Sequence, residues 1–174
     1  MDHGAGRRQW VAWLALCIAL GLIVTLYASV GLASSSDPLL LPLDDTYIHF
    51  QYARQLARGE PMAYNPGDPA TSGGTSLLYP PLLAIGYWLG FTGPNLAIWA
   101  LALGALSFFG SAWLVYLIAR DNPLLTDGAR GHRIALILAL AYAVSGPFAW
   151  AALSGMETAL VLFLALLAFH LTVQ

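Results

Sequence analysis

Long apolar runs separated by short polar breaks dominate this chain, and the length of each run limits what it can form. Trp10 to Leu32 holds 23 residues without a charge, and ~20 apolar residues in a helix cross a bilayer. Asn95 to Ala119, Ile134 to Leu153 and Glu157 to Val173 are three further candidate spans. Leu77 to Phe91 is shorter, at 15 residues. As a helix it measures ~22 Å against a hydrocarbon core of ~30 Å. It carries Pro80-Pro81 near its start, and its length suits a helix lying in the interface. Gly146-Pro147 predicts a bend in the third span.

A different pattern occupies 46–58. Gln51, Arg54, Gln55 and Arg58 recur at the spacing of one helix face, while Tyr47, Ile48, Phe50, Tyr52 and Leu56 cover most of the rest. Gly59 is a stop signal, Asn65-Pro66-Gly67-Asp68 reads as a turn, and 71–76 reads as a flexible loop. The expected fold is all-α: a polytopic membrane helix bundle with about four transmembrane helices. Two juxtamembrane helices, 46–58 and 77–91, lie in its first outer loop.

Composition agrees, with 59% hydrophobic and only 9% charged residues. The long first run favours a retained span over a cleaved signal peptide. No basic run suggests nucleic acid, and Cys17 is the single cysteine, so no disulfide framework exists. All seven basic side chains, histidine aside, are arginines, and their placement sets the topology. Arginine favours short cytoplasmic loops, so Arg7 and Arg8 put the N-terminus in the cytoplasm. Arg120, Arg130 and Arg133 do the same for the loop 120–133. That leaves 33–94 as one outer loop and delivers the 154–157 turn to the same face. The expected location is the cytoplasmic membrane, with lipids as neighbours and any active site on the outer face. The last apolar stretch stops at Gln174, which reads as the N-terminal part of a longer single membrane domain covering 1–174, inactive alone.

Against so few charges, three carboxylates stand out: Asp44, Asp45 and Glu157. Asp44 or Asp45 would cap the helix at 46–58, but one cap needs one aspartate, which leaves a general base or a metal ligand as the competing role. Ser154-x-x-Glu157 has the form of a capping box, yet an acidic side chain at a membrane helix end is also a functional candidate. Arg54 and Arg58 are either a solvated face or contacts for an anionic phosphate, for which arginine is suited. His49 is more often a packing residue than a base. No glycine-rich phosphate loop, zinc spacing or nucleophile elbow is present.

The order of these pieces resembles one family. A first span is followed by Asp44 to Gly59, a Tyr64 to Gly67 turn, a Thr75 to Pro80 helix start, and Gly155 to Thr158 before another span. This is similar to the GT-C class of membrane glycosyltransferases, with the nearest likeness to protein mannosyltransferases, aminoarabinose transferases and mycobacterial arabinofuranosyltransferases. The resemblance implies transfer of a sugar from a polyprenyl-phosphate donor to an acceptor hydroxyl on a glycan, lipid or protein, with inversion. It implies Asp44 as the catalytic base, Asp45 as its assistant or a metal ligand, and Glu157 as the second acidic residue. A base must reach the acceptor hydroxyl, and the leaving phosphate needs positive charge, for which Arg54 and Arg58 are the candidates. Asp45 and Glu157 are candidate oxygen ligands for Mg²⁺, Mn²⁺ or Ca²⁺. The chain departs from many relatives at Gln51, where they carry a basic residue, and it lacks the lysine that aminoarabinose-type members place before the proline pair. A transporter or flippase of lipid-linked glycans and a non-catalytic membrane subunit are the alternatives. The first would hold its ionisable residues inside the bundle, and the second would use the acidic pair only as a cap.

Overall fold

A computed structural model describes residues 3–34, 41–71, 73–125 and 128–173. The link 35–40 ahead of the acidic pair, Ser72 of the loop 71–76, and 126–127 of the loop 120–133 lie outside the described residues. The described residues are helical and contain no strand. The helices are α1 (His3–Ser34), α2 (Asp45–Ala57), α3 (Tyr79–Trp88), α4 (Leu96–Asp121), α5 (Gly128–Ala143), α6 (Gly146–Ala152) and α7 (Thr158–Val173).

Two helices are long and apolar enough to cross a membrane, over Gly6–Val30 and Gly93–Asp121. The α5–α6 pair makes a third if it counts as one span, bent by 62°. The break falls at Val144-Ser145, just ahead of Gly146-Pro147, where the sequence predicts it. Helix α7 is apolar but has 16 residues, or ~24 Å, short of the ~30 Å hydrocarbon core. The structure therefore supports two or three spans by length, where four were expected. Helix α3 keeps only 10 residues of the 77–91 stretch. Its first turn is set by Ser76, whose Oγ accepts the Tyr79 N–H at 3.2 Å. Pro80 and Pro81 follow, in positions where an absent N–H removes no helical bond.

Helix α4 is the axis of the fold, packing on α1, α3, α5, α6 and α7. Its first half joins Phe50 and Ala53 of α2 and Leu83 and Ala84 of α3 in one core. Its last half meets Ala12 and Leu16 of α1 and Ala135, Ala139 and Ala143 of α5 in another. Small residues let such backbones approach closely. The extreme case is Gly104, where any Cβ would strike the carbonyl of Ala152 in α6. With 26 residues, α4 is ~39 Å long, so the α2–α3 end and the α1–α5 end of the bundle are far apart.

Candidate functional site

Helix α2 spans one residue less at its C-terminus and one more at its N-terminus than the sequence predicts. Asp44 is its cap, accepting the Asp45 N–H at 3.0 Å. Both aspartates are exposed. The first turn of α2 is locked to a distant part of the chain. Thr46, fully buried, donates from Oγ1 to the Ser154 carbonyl at 3.3 Å across 108 residues. The α6–α7 turn can approach because Gly155 has φ +84°, and a Cβ there would strike Leu41 and Thr46. A left-handed backbone is open to glycine and costly for other residues. Tyr79 of α3 completes the lock, donating from its hydroxyl to the Gly155 carbonyl at 2.8 Å. Burial, and secondarily the charge of Glu157, pushes the Tyr79 hydroxyl above its ordinary pKa.

This lock brings Glu157 to α2. Thr75 donates from Oγ1 to Glu157 Oε1 at 2.8 Å, and Thr75 Oγ1 lies 3.1 Å from His49 Nε2. The threonine has one proton and gives it to the carboxylate, so His49 Nε2 is the donor in its own bond. Glu157 Oε2 stands 3.2 Å from the same nitrogen, close as an ion pair but not aligned as a hydrogen bond. The imidazole is almost wholly buried, and its other nitrogen, Nδ1, has no partner. It faces the Gly74 backbone, where a Cβ would lie 3.8 Å away. Gly74 also lines a cavity of about 200 Å³ between Tyr52, Leu56, Met62 and Pro80.

The expected capping box at Ser154 does not close. Ser154 Oγ donates to the Ala151 carbonyl at 2.9 Å and accepts the Met156 N–H at 3.4 Å. The Glu157 carboxylate turns away to Thr75 and His49 because two polar partners there outweigh one backbone N–H. Glu60, the other glutamate, is structural: it accepts the Gly67 N–H at 3.1 Å and braces the 65–68 turn.

The acidic pair divides between two flanks of α2, since neighbours on a helix stand 100° apart. Asp45 shares its side with His49 and Tyr52, one and two turns on. Asp44 shares its side with Gln51 and Arg58. The two arginines line a separate cleft of about 420 Å³ with Ala57, Tyr87, Trp88, Thr92 and Gly93. Burial raises the Tyr87 hydroxyl pKa and the two arginines oppose it, which puts both guanidinium groups near the ring. Arg54 Nε is buried there without a hydrogen-bond partner. Arg54 starts ten residues and Arg58 fourteen residues beyond Asp44, or ~15 and ~21 Å along the axis.

The structure thus joins His49, Thr75 and Glu157 beside the first turns of α2, with Asp44 and Asp45 exposed at its head and Arg54 and Arg58 further down it. Among the described residues no three His, Cys, Asp or Glu side chains form a metal-ligand cluster. His49 and Thr75 carry more of the site than their sequence suggests. The available signal was Gly73-Gly74, which lets the loop before Thr75 press on Tyr52 and His49. No protein-family model, no curated protein and no solved structure matches this chain.

Proposed function

We propose that this chain is the membrane module of a glycosyltransferase that moves a sugar from a polyprenyl-phosphate donor to an acceptor hydroxyl at the outer membrane face, with inversion. The supporting observation is the bond from Thr46 to Ser154 across 108 residues, which sets the exposed acidic head of α2 against the turn carrying Glu157. In this reading Asp44, exposed and aligned with the arginine flank, takes the acceptor proton as the hydroxyl attacks the anomeric carbon. Asp45 adds negative charge beside it. Glu157 holds His49 and Thr75 in place from within. Inversion puts the base and the leaving phosphate on opposite sides of the sugar, so a donor lying along α2 would meet Asp44 first and Arg58 and Arg54 beyond it. The unpartnered Arg54 Nε suits a phosphate oxygen.

The test is Asp44→Asn in the intact membrane enzyme that carries this module. Asparagine caps helices about as well as aspartate, so expression is expected to be unchanged and stability to stay within about 0.5 kcal/mol of wild type. Transfer from a radiolabelled polyprenyl-phosphate sugar is expected to vanish, and retained transfer would remove Asp44 as the base. The burial of His49 and Glu157 gives specific support to the flippase alternative, since carriers keep ionisable residues inside. That reading expects carrier movement across proteoliposomes without any product glycoside.

A further inference from the structure

We propose that the cleft between the starts of α1 and α5 binds the headgroup of an anionic phospholipid. The cleft holds about 420 Å³ and is lined by Arg7, Arg8, His132 and Arg133 together with Val11, Ala12 and Leu136. The pairing of its residues is regular: Arg7 precedes Val11, Arg8 precedes Ala12, and His132 precedes Leu136, each by four positions. Side chains four apart lie one above the other on a helix. The wall therefore changes from basic to apolar within one turn, ~6 Å, which is the profile of a phosphodiester above the first methylenes of an acyl chain.

Two further features place this cleft at a lipid boundary. Trp10, Trp13 and Trp113 line a neighbouring cleft, and tryptophans of this kind sit at the level of lipid headgroups. Beyond them the outward side of α1 is an apolar stripe through Leu14, Ile18 and Leu22, all more than half exposed. His132 is fixed in the wall by Tyr116, whose hydroxyl lies 2.9 Å from Nδ1. Guanidinium forks match phosphate oxygens in pairs, and each arginine near an anionic surface adds to the attraction. The apolar floor selects a lipid over free phosphate.

The experiment uses the whole chain in neutral detergent, titrated with phosphatidylglycerol or phosphatidylcholine of identical acyl chains, with bound lipid counted by native mass spectrometry. Phosphatidylglycerol is expected to bind at least about tenfold more tightly. Arg8→Gln with Arg133→Gln is expected to weaken it about thirtyfold, two arginines at the usual surface contribution, and to leave phosphatidylcholine unchanged. Millimolar inorganic phosphate is expected not to displace the lipid. Equal affinity for the two lipids, unchanged phosphatidylglycerol binding in the variant, or ready displacement by phosphate would each overturn the proposal. If the double variant does not fold, salt decides on the wild-type chain: phosphatidylglycerol binding must weaken as salt rises, and salt-independent binding overturns the proposal.

Discussion

Thr75 joins two buried partners with a single hydroxyl, accepting from His49 and donating to Glu157. Thr75→Val keeps the shape and removes both bonds, leaving His49 Nε2 and Glu157 Oε1 to find other partners. A loss of about 1 kcal/mol is expected in thermal melts, the low end of that range because Thr75 itself is exposed. Tyr79 gives a pH signature. Burial and the nearby Glu157 hold its proton more tightly in the folded chain than in the unfolded one. The unfolded chain begins to release that proton near pH ~10, so the stabilisation is complete below that pH and is lost as pH rises above it. Melting temperatures between pH ~9 and ~11 are expected to fall more steeply for wild type than for Tyr79→Phe. Parallel slopes would mean that Tyr79 does not supply the difference. In the sequence both residues appear only as part of the Thr75 to Pro80 helix start, because what distinguishes each is a contact across 82 or 76 positions. A local pattern cannot report such a contact.

At the scale of elements, periodicity was a good guide where a helix has two distinct faces. The polar row Gln51, Arg54, Gln55 and Arg58 located α2 to within a residue at either end. The Asn65–Asp68 turn forms as read, with Asp68 accepting from the Asn65 backbone and side chain at 3.0 and 2.9 Å. Uniformly apolar runs gave less. Nothing in 157–173 or 77–91 marks which turns pack, and the observed helices there are short. The closest packing lies at Gly104, where α4 touches the α6 backbone. Gly104→Ala must push these helices apart, and since the obstacle is a carbonyl rather than a side chain, no rotamer change relieves it. The expected cost is about 1–3 kcal/mol, read as a lowered melting temperature, with wild-type stability in the variant counting against the packing described.

For the whole molecule, the candidate carboxylates Asp44, Asp45 and Glu157 lie at the α2–α3 end of α4 together with Arg54 and Arg58, while Arg7, Arg8 and Arg133 lie at the α1–α5 end. The arginine rule expects the second end in the cytoplasm. An impermeant maleimide applied to intact cells, in a Cys17→Ala background, is expected to label Ala70→Cys and to spare Leu124→Cys; the reverse pattern would invert the molecule. Adjacent aspartates look equivalent in a sequence, yet they differ by 100° on a helix, and that phase is what puts Asp44 and Asp45 on different flanks of α2. The break between α5 and α6 bears on the surroundings of this bundle. At the break the Val144 and Ser145 N–H groups still bond back to Leu140 and Tyr142 at 2.9 and 3.2 Å, but the first turn of α6, with Pro147 in it, faces an exposed flank with fewer helical bonds than an unbroken span would have. Hydrocarbon does not tolerate unpaired main-chain groups. A lipid-facing wall is therefore an unfavourable place for that flank, and a water-filled recess or another helix suits it better.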